Sequence, residues 1–144
     1  MRQPKFRAWN TSAKQWQTDY SALDCNGNFL VKMSENSFDQ SDGVKLIFQQ
    51  YTGLKDKNGV EIYEGDIVKK PADLFIGGEI VAHEGEFHID AVVEWVDGSF
   101  RLNKIGDDSK NYYGVMNYSE NTYASKLEVI GNIYENPELM EANQ

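Results

Sequence analysis

The stretch 49–68, Gln-Gln-Tyr-Thr-Gly-Leu-Lys-Asp-Lys-Asn-Gly-Val-Glu-Ile-Tyr-Glu-Gly-Asp-Ile-Val, holds the densest turn chemistry in the chain. It constrains the fold most. Asn58-Gly59 is the dipeptide that best tolerates positive φ at both central positions of a type I′ turn, and alternating apolar residues flank it on both sides. Gly53 and Gly65 add two further points where the backbone can reverse. The stretch predicts a hairpin hub, with Leu54, Ile62, Tyr63, Ile67 and Val68 supplied to the core or to an oligomer contact.

Elsewhere the same short period recurs. Lys5-Phe6-Arg7-Ala8-Trp9 alternates as a strand, Asn10-Thr11-Ser12 reads as a turn, and Gln15-Trp16-Gln17 returns as an antiparallel partner. Phe29-Leu30-Val31 continues the meander. Ile67-Val68-Lys69-Lys70 runs until Pro71, which lacks a ladder donor. Two β-rich segments, 76–81 and 87–96, are separated by a turn at Glu84-Gly85-Glu86, and Asp97-Gly98 predicts a hairpin into Ser99-Phe100-Arg101-Leu102. A last strand covers 127–134. Asn136-Pro137-Glu138-Leu139 opens a short helix, with Asn136 as N-cap and Pro137 at the first helical position. The stretches 34–43 and 106–121 are polar and aperiodic, and are expected to be loops.

With no repeat and no shift in composition, 144 residues are expected to form a single domain over 1–144. The fold class expected is mainly β: a small barrel or two packed twisted sheets with SH3-like character, irregular loops and a short C-terminal helix. Fourteen basic against 23 acidic residues give a formal net charge of −9, which opposes direct contact with a nucleic-acid backbone. No window approaches the roughly 18 apolar residues of a membrane span, and the N-terminus has no apolar leader, so a cytoplasmic location is expected. Cys25 is a single cysteine flanked by Asp24 and Asn26, with no cation or histidine base beside it, and reads as an inert thiol.

Each candidate for chemistry has a simpler reading. His83 and His88 are five apart across a glycine, whereas a helical zinc motif spaces its histidines four apart, so they read as surface residues of a turn. Glu61, Glu64 and Asp66 resemble paired acid–base carboxylates, yet Glu64-Gly65-Asp66 also has the composition of a turn whose aspartate bonds the backbone. Gly77-Gly78 lacks the lysine and hydroxyl residue of a phosphate loop, and no serine stands in a nucleophile-elbow frame. No catalytic, cofactor-binding or metal-ligating residue is expected, and no cofactor.

Three segments together resemble the YopX family, whose members are found largely in bacteriophage and prophage genomes. Lys5-Phe6-Arg7-Ala8-Trp9-Asn10 resembles its N-terminal signature and the run 50–68 its central one. Leu127-Glu128-Val129-Ile130-Gly131-Asn132-Ile133-Tyr134-Glu135-Asn136-Pro137-Glu138-Leu139 resembles its C-terminal one. The resemblance spans nearly the whole chain. It implies a phage or prophage origin, a compact self-associating domain, and no assigned activity or catalytic residue. Trp16 stands where methionine or a similar apolar residue is expected, and neither 34–43 nor 106–121 follows a family pattern.

The function expected is a non-enzymatic phage or prophage accessory protein: a self-associating protein-binding module in the bacterial host cytoplasm, a homo-oligomer with a host or phage protein as partner. An alternative from another class is an acidic decoy that occupies a host nucleic-acid-binding protein. A third is a small hydrolase using Glu61, Glu64 or Asp66.

Overall fold

Consecutive β-branched residues such as Ile67-Val68 and Val92-Val93 can all be buried in a strand only if both faces of its sheet are covered. The larger part of this chain is built that way. The computed structural model describes residues 5–17, 20–23, 29–34, 37–40, 46–106, 112–115 and 124–141. It is mainly β, with a short C-terminal helix, and one of its antiparallel sheets is curled into a half-barrel. The chain forms two compact units, Met1–Gln50 and Tyr51–Gln144.

In the first unit, β1 (Phe6–Asn10) pairs with β2 (Gln15–Gln17). The reversal between them is held by Asn10, whose Oδ1 accepts from the Ser12 and Ala13 amides at 3.0 and 2.8 Å. Trp9 faces Trp16 across the pair with ring centroids 5.1 Å apart, and the Arg7 guanidinium lies 4.2 Å from the Trp16 ring. These aromatics support a hairpin. A separate sheet joins β3 (Tyr20–Leu23), β4 (Phe29–Ser34) and β5 (Ser37–Gln40). The first half of β6 (Leu46–Lys55) pairs antiparallel with β1.

In the second unit the remainder of β6 pairs with β7 (Glu61–Tyr63). A five-stranded sheet follows, built from β8 (Asp66–Ile76), β9 (Glu79–Val96), β10 (Ser99–Lys104), β11 (Tyr112–Val115) and β12 (Glu128–Asn132) in the order β11-β10-β9-β8-β12. Val68, Ala91, Val93, Phe100 and Leu102 form one apolar cluster with Ile62 and Leu127. Ile67 and Val92 form a second with Ile105, backed by Ile133 and by Leu139 of helix α1 (Glu138–Glu141). Neighbouring residues of one strand thus fill opposite cores, which is why the apolar runs are unbroken.

Several sequence expectations change. β5 falls inside 34–43 and β11 inside 106–121, because a neighbouring strand supplies ladder partners that polar composition alone does not signal. The expected break at Pro71 is absent: β8 passes through it beyond the last residue paired with β12, where an edge strand tolerates the missing donor. The turn expected at Glu84-Gly85-Glu86 is instead part of the single strand β9, next to a shift of register, and the reversal occurs at Gly77-Gly78, with φ of 63° and 90°. Cys25 lies outside the described residues.

Candidate functional site

The hub stretch folds into two tight reversals, and in each a buried aspartate organises the backbone. At the first, the Gly59 amide donates to Asp56 O at 3.0 Å and the Asp56 amide to Val60 O at 2.8 Å. Of the four residues 56–59 only Gly59 has positive φ, at 80°. This is a type I turn followed by a left-handed glycine, not the type I′ turn that Asn58-Gly59 predicts. The cause is the Asp56 carboxylate. Its Oδ1 accepts from the Asn58 and Val60 amides at 2.8 and 2.9 Å, an arrangement that keeps Asn58 out of the left-handed region. Asp97-Gly98 forms the hairpin expected there, and with φ of 49° and 80° its turn is of type I′.

Asp56 Oδ2 accepts a third amide, that of Val129, at 2.9 Å, 73 residues away in sequence. Only 5% of Asp56 is exposed. Burial pushes its pKa up, but the Val129, Val60 and Asn58 amides, aided by the Lys57 charge, outweigh it and hold the carboxyl below its ordinary value. Beside it Lys57 Nζ contacts Glu128 Oε2 at 2.6 Å, and that hydrogen bond and charge hold the Glu128 carboxyl low as well.

At the second reversal Asp66, almost wholly buried, accepts from the Tyr63 amide at 2.8 Å and from Asn132 Nδ2 at 3.1 Å. Gly65, at φ 80°, donates to Val93 O and accepts from the Ile133 amide. The three carboxylates considered for acid–base work therefore have separate settings. Asp66 holds two strands together, Glu61 accepts from the Tyr63 hydroxyl at 2.8 Å, and Glu64 sits half-buried in the turn. The geometry gives Asp66 the backbone-bonding role that its turn composition suggests. His83 and His88 are exposed on β9, and the His83 amide donates to Glu86 Oε2 at 3.3 Å. Among the described residues no group of three or more His, Cys, Asp or Glu side chains is placed to hold a metal ion.

The C-terminal segment completes the arrangement. Lys57 N donates to Leu127 O at 2.9 Å, Asn136 N to Asn132 O at 2.8 Å, and Asn132 N to Asn136 Oδ1 at 3.3 Å. Asn136 thus spends its side-chain oxygen on β12 rather than on the first turn of the helix, the cap its sequence position predicts. Gly131 explains the closeness. A Cβ there would lie 2.7 Å from Asn136 Oδ1 and 2.8 Å from Leu139 Cδ1, so α1 can approach β12 only over a glycine. Sequence reasoning missed Asp56, Asn132 and Asn136 as organisers; Asp56, two residues before Asn58-Gly59, is the legible signal, since an aspartate opening a turn bonds the amides ahead of it.

A sequence description of the family "YopX protein" matches residues 5–141. The chain belongs to the YopX family. The match spans all three segments on which the resemblance rests, and two of them, central and C-terminal, meet at β12. Among solved structures, this YopX-family chain is similar to protein EF1440 from Enterococcus faecalis, at 32% identity and a TM-score of 0.62, over 95% of this chain and 97% of that one. It shares its fold with protein yopX from Bacillus subtilis, at 24% identity and a TM-score of 0.58, over 93% and 95% of the two chains. The comparison with curated proteins gives no match. No helix among the described residues is long and apolar enough to cross a membrane.

Proposed function

We propose that this YopX-family chain is a non-catalytic protein-binding module that self-associates, serving as an accessory protein of a phage or prophage in the bacterial cytoplasm. The observation that carries the reading is the free end of the β8–β9 hairpin. Among the described strands, 70–76 and 79–89 pair only with each other, and Ile76, Ile80 and Val81 are 64%, 45% and 53% exposed. A two-stranded ribbon is marginal in water by itself, and clustered exposed β-branched side chains gain by contact with another surface. Between Pro71 and Ala82 only Asp73 and Glu79 are charged. The tip therefore carries few charged groups that contact with another surface would have to desolvate. The organising aspartates support the non-catalytic half of the reading, since their oxygens are occupied by backbone amides and an asparagine.

Sedimentation across a dilution series tests the assembly. The expected result is a mass that rises with concentration and falls to that of one chain when Ile80 and Val81 are both replaced by lysine. A chain that stays monomeric at the highest concentration contradicts it.

A further inference from the structure

The five-stranded sheet ends on β12, and a terminal strand turns alternate amides and carbonyls away from its only neighbour. Such an edge invites another strand. Here several of the outward groups are already taken. Leu127 O and Val129 N, two residues apart, are bonded by consecutive residues of the hub turn: Lys57 N donates to the first and Asp56 Oδ2 accepts from the second, both at 2.9 Å. A neighbouring strand would offer one N–H and one C=O at that spacing. Lys57 supplies the N–H, and the Asp56 carboxylate stands in for the carbonyl. Farther along, Asn136 repeats the device, giving its own amide to Asn132 O and its side-chain oxygen to Asn132 N.

We propose that the Asp56–Lys57 turn and Asn136 form a built-in cap that closes the outer edge of β12 to strand addition, and that opening the turn half of the cap lets a second copy of this chain pair there. Several features agree with the role. Two of the three amide bonds of the Asp56 side chain lie within its own turn, to Asn58 and Val60, so it is oriented independently of the edge it covers. The Lys57–Glu128 ion pair adds a tie between turn and strand from outside. Gly131 keeps the second half of the cap close. The proposal does not depend on the contact at the hairpin tip, which involves other residues.

Two variants test it, both in a chain carrying Ile80→Lys and Val81→Lys so that the tip does not contribute. Asp56→Ala removes the carbonyl mimic, and amide hydrogen exchange at Val129 is expected to quicken by at least about tenfold. Lys57→Pro removes the donor to Leu127 O together with the ion pair to Glu128, while proline suits the second position of a type I turn and so keeps the fold. Sedimentation is expected to show the chain carrying both Asp56→Ala and Lys57→Pro gaining mass with concentration while its parent does not. The proposal is overturned if the Val129 amide keeps its parental rate in folded Asp56→Ala or in Lys57→Pro, or if the folded chain carrying both of these substitutions sediments as the parent does.

Discussion

Two glycine-closed hairpins of the second unit differ in what holds them. At Asp56–Gly59 a buried carboxylate gathers amides from its own turn and from β12, and Leu127 beside it has no exposed surface. At Gly77-Gly78 both turn glycines have positive φ, and Ile76 and Ile80 beside them face solvent. The same residue type thus serves a clamp and a free end. What separates them is the side chain upstream of the glycine. Stability and assembly are expected to respond separately to substitutions at the two places.

The largest expected effect is at the clamp. Asp56→Ala leaves buried amides without an acceptor, at about 1–3 kcal/mol for each one that water cannot reach, and urea unfolding should show a total of roughly 3 kcal/mol or more. Next comes Gly131→Ala, where a methyl meets Asn136 and Leu139; overpacking of this kind costs about 1–3 kcal/mol, and the Asn132 and Tyr134 amides should lose exchange protection with it. Gly59→Ala forces an alanine to φ of 80° and should cost about 1–2 kcal/mol by denaturant midpoint. Ile80→Lys comes last, within about 0.5 kcal/mol of the parent in stability, while changing the mass in solution. Equal stability losses at Ile80 and Asp56 would erase the distinction between the two hairpins.

Sequence legibility follows the same line. The type I′ hairpin at Asp97-Gly98, the pairing of Phe6-Arg7-Ala8-Trp9-Asn10 with Gln15-Trp16-Gln17, and the burial of Ile62, Ile67 and Val68 are local consequences of turn chemistry and period, and all are present. The turn type at Asn58-Gly59 was not legible from that dipeptide, because an aspartate two residues earlier overrides its preference. Asn132 and Asn136 read as polar residues near a helix start until the fold brings Asp66 to one and β12 to the other. The division at Gln50 and Tyr51 leaves no mark in composition, since both units are built of strands and β6 contributes to each. Of the candidate site, the turn reading of Asp66 was recoverable from sequence, whereas the edge-capping role of Asp56 needed a contact across 73 residues.

Acid should act through the same carboxylate. A group whose pKa is depressed by folding contributes stability above its unfolded value of about 3.9 and loses it as pH falls through the lower folded value. Asp56→Asn should therefore weaken the protein at neutral pH and flatten the acid limb of its stability curve. The most direct test is an NMR titration that follows the Asp56 carboxyl carbon and the Val129 amide together. The clamp predicts a carboxyl midpoint below the ordinary value and a Val129 amide shift that follows it with the same midpoint. A carboxyl that titrates at about 3.9, with a Val129 amide indifferent to it, would contradict the claim that Asp56 is the clasp between the hub and β12.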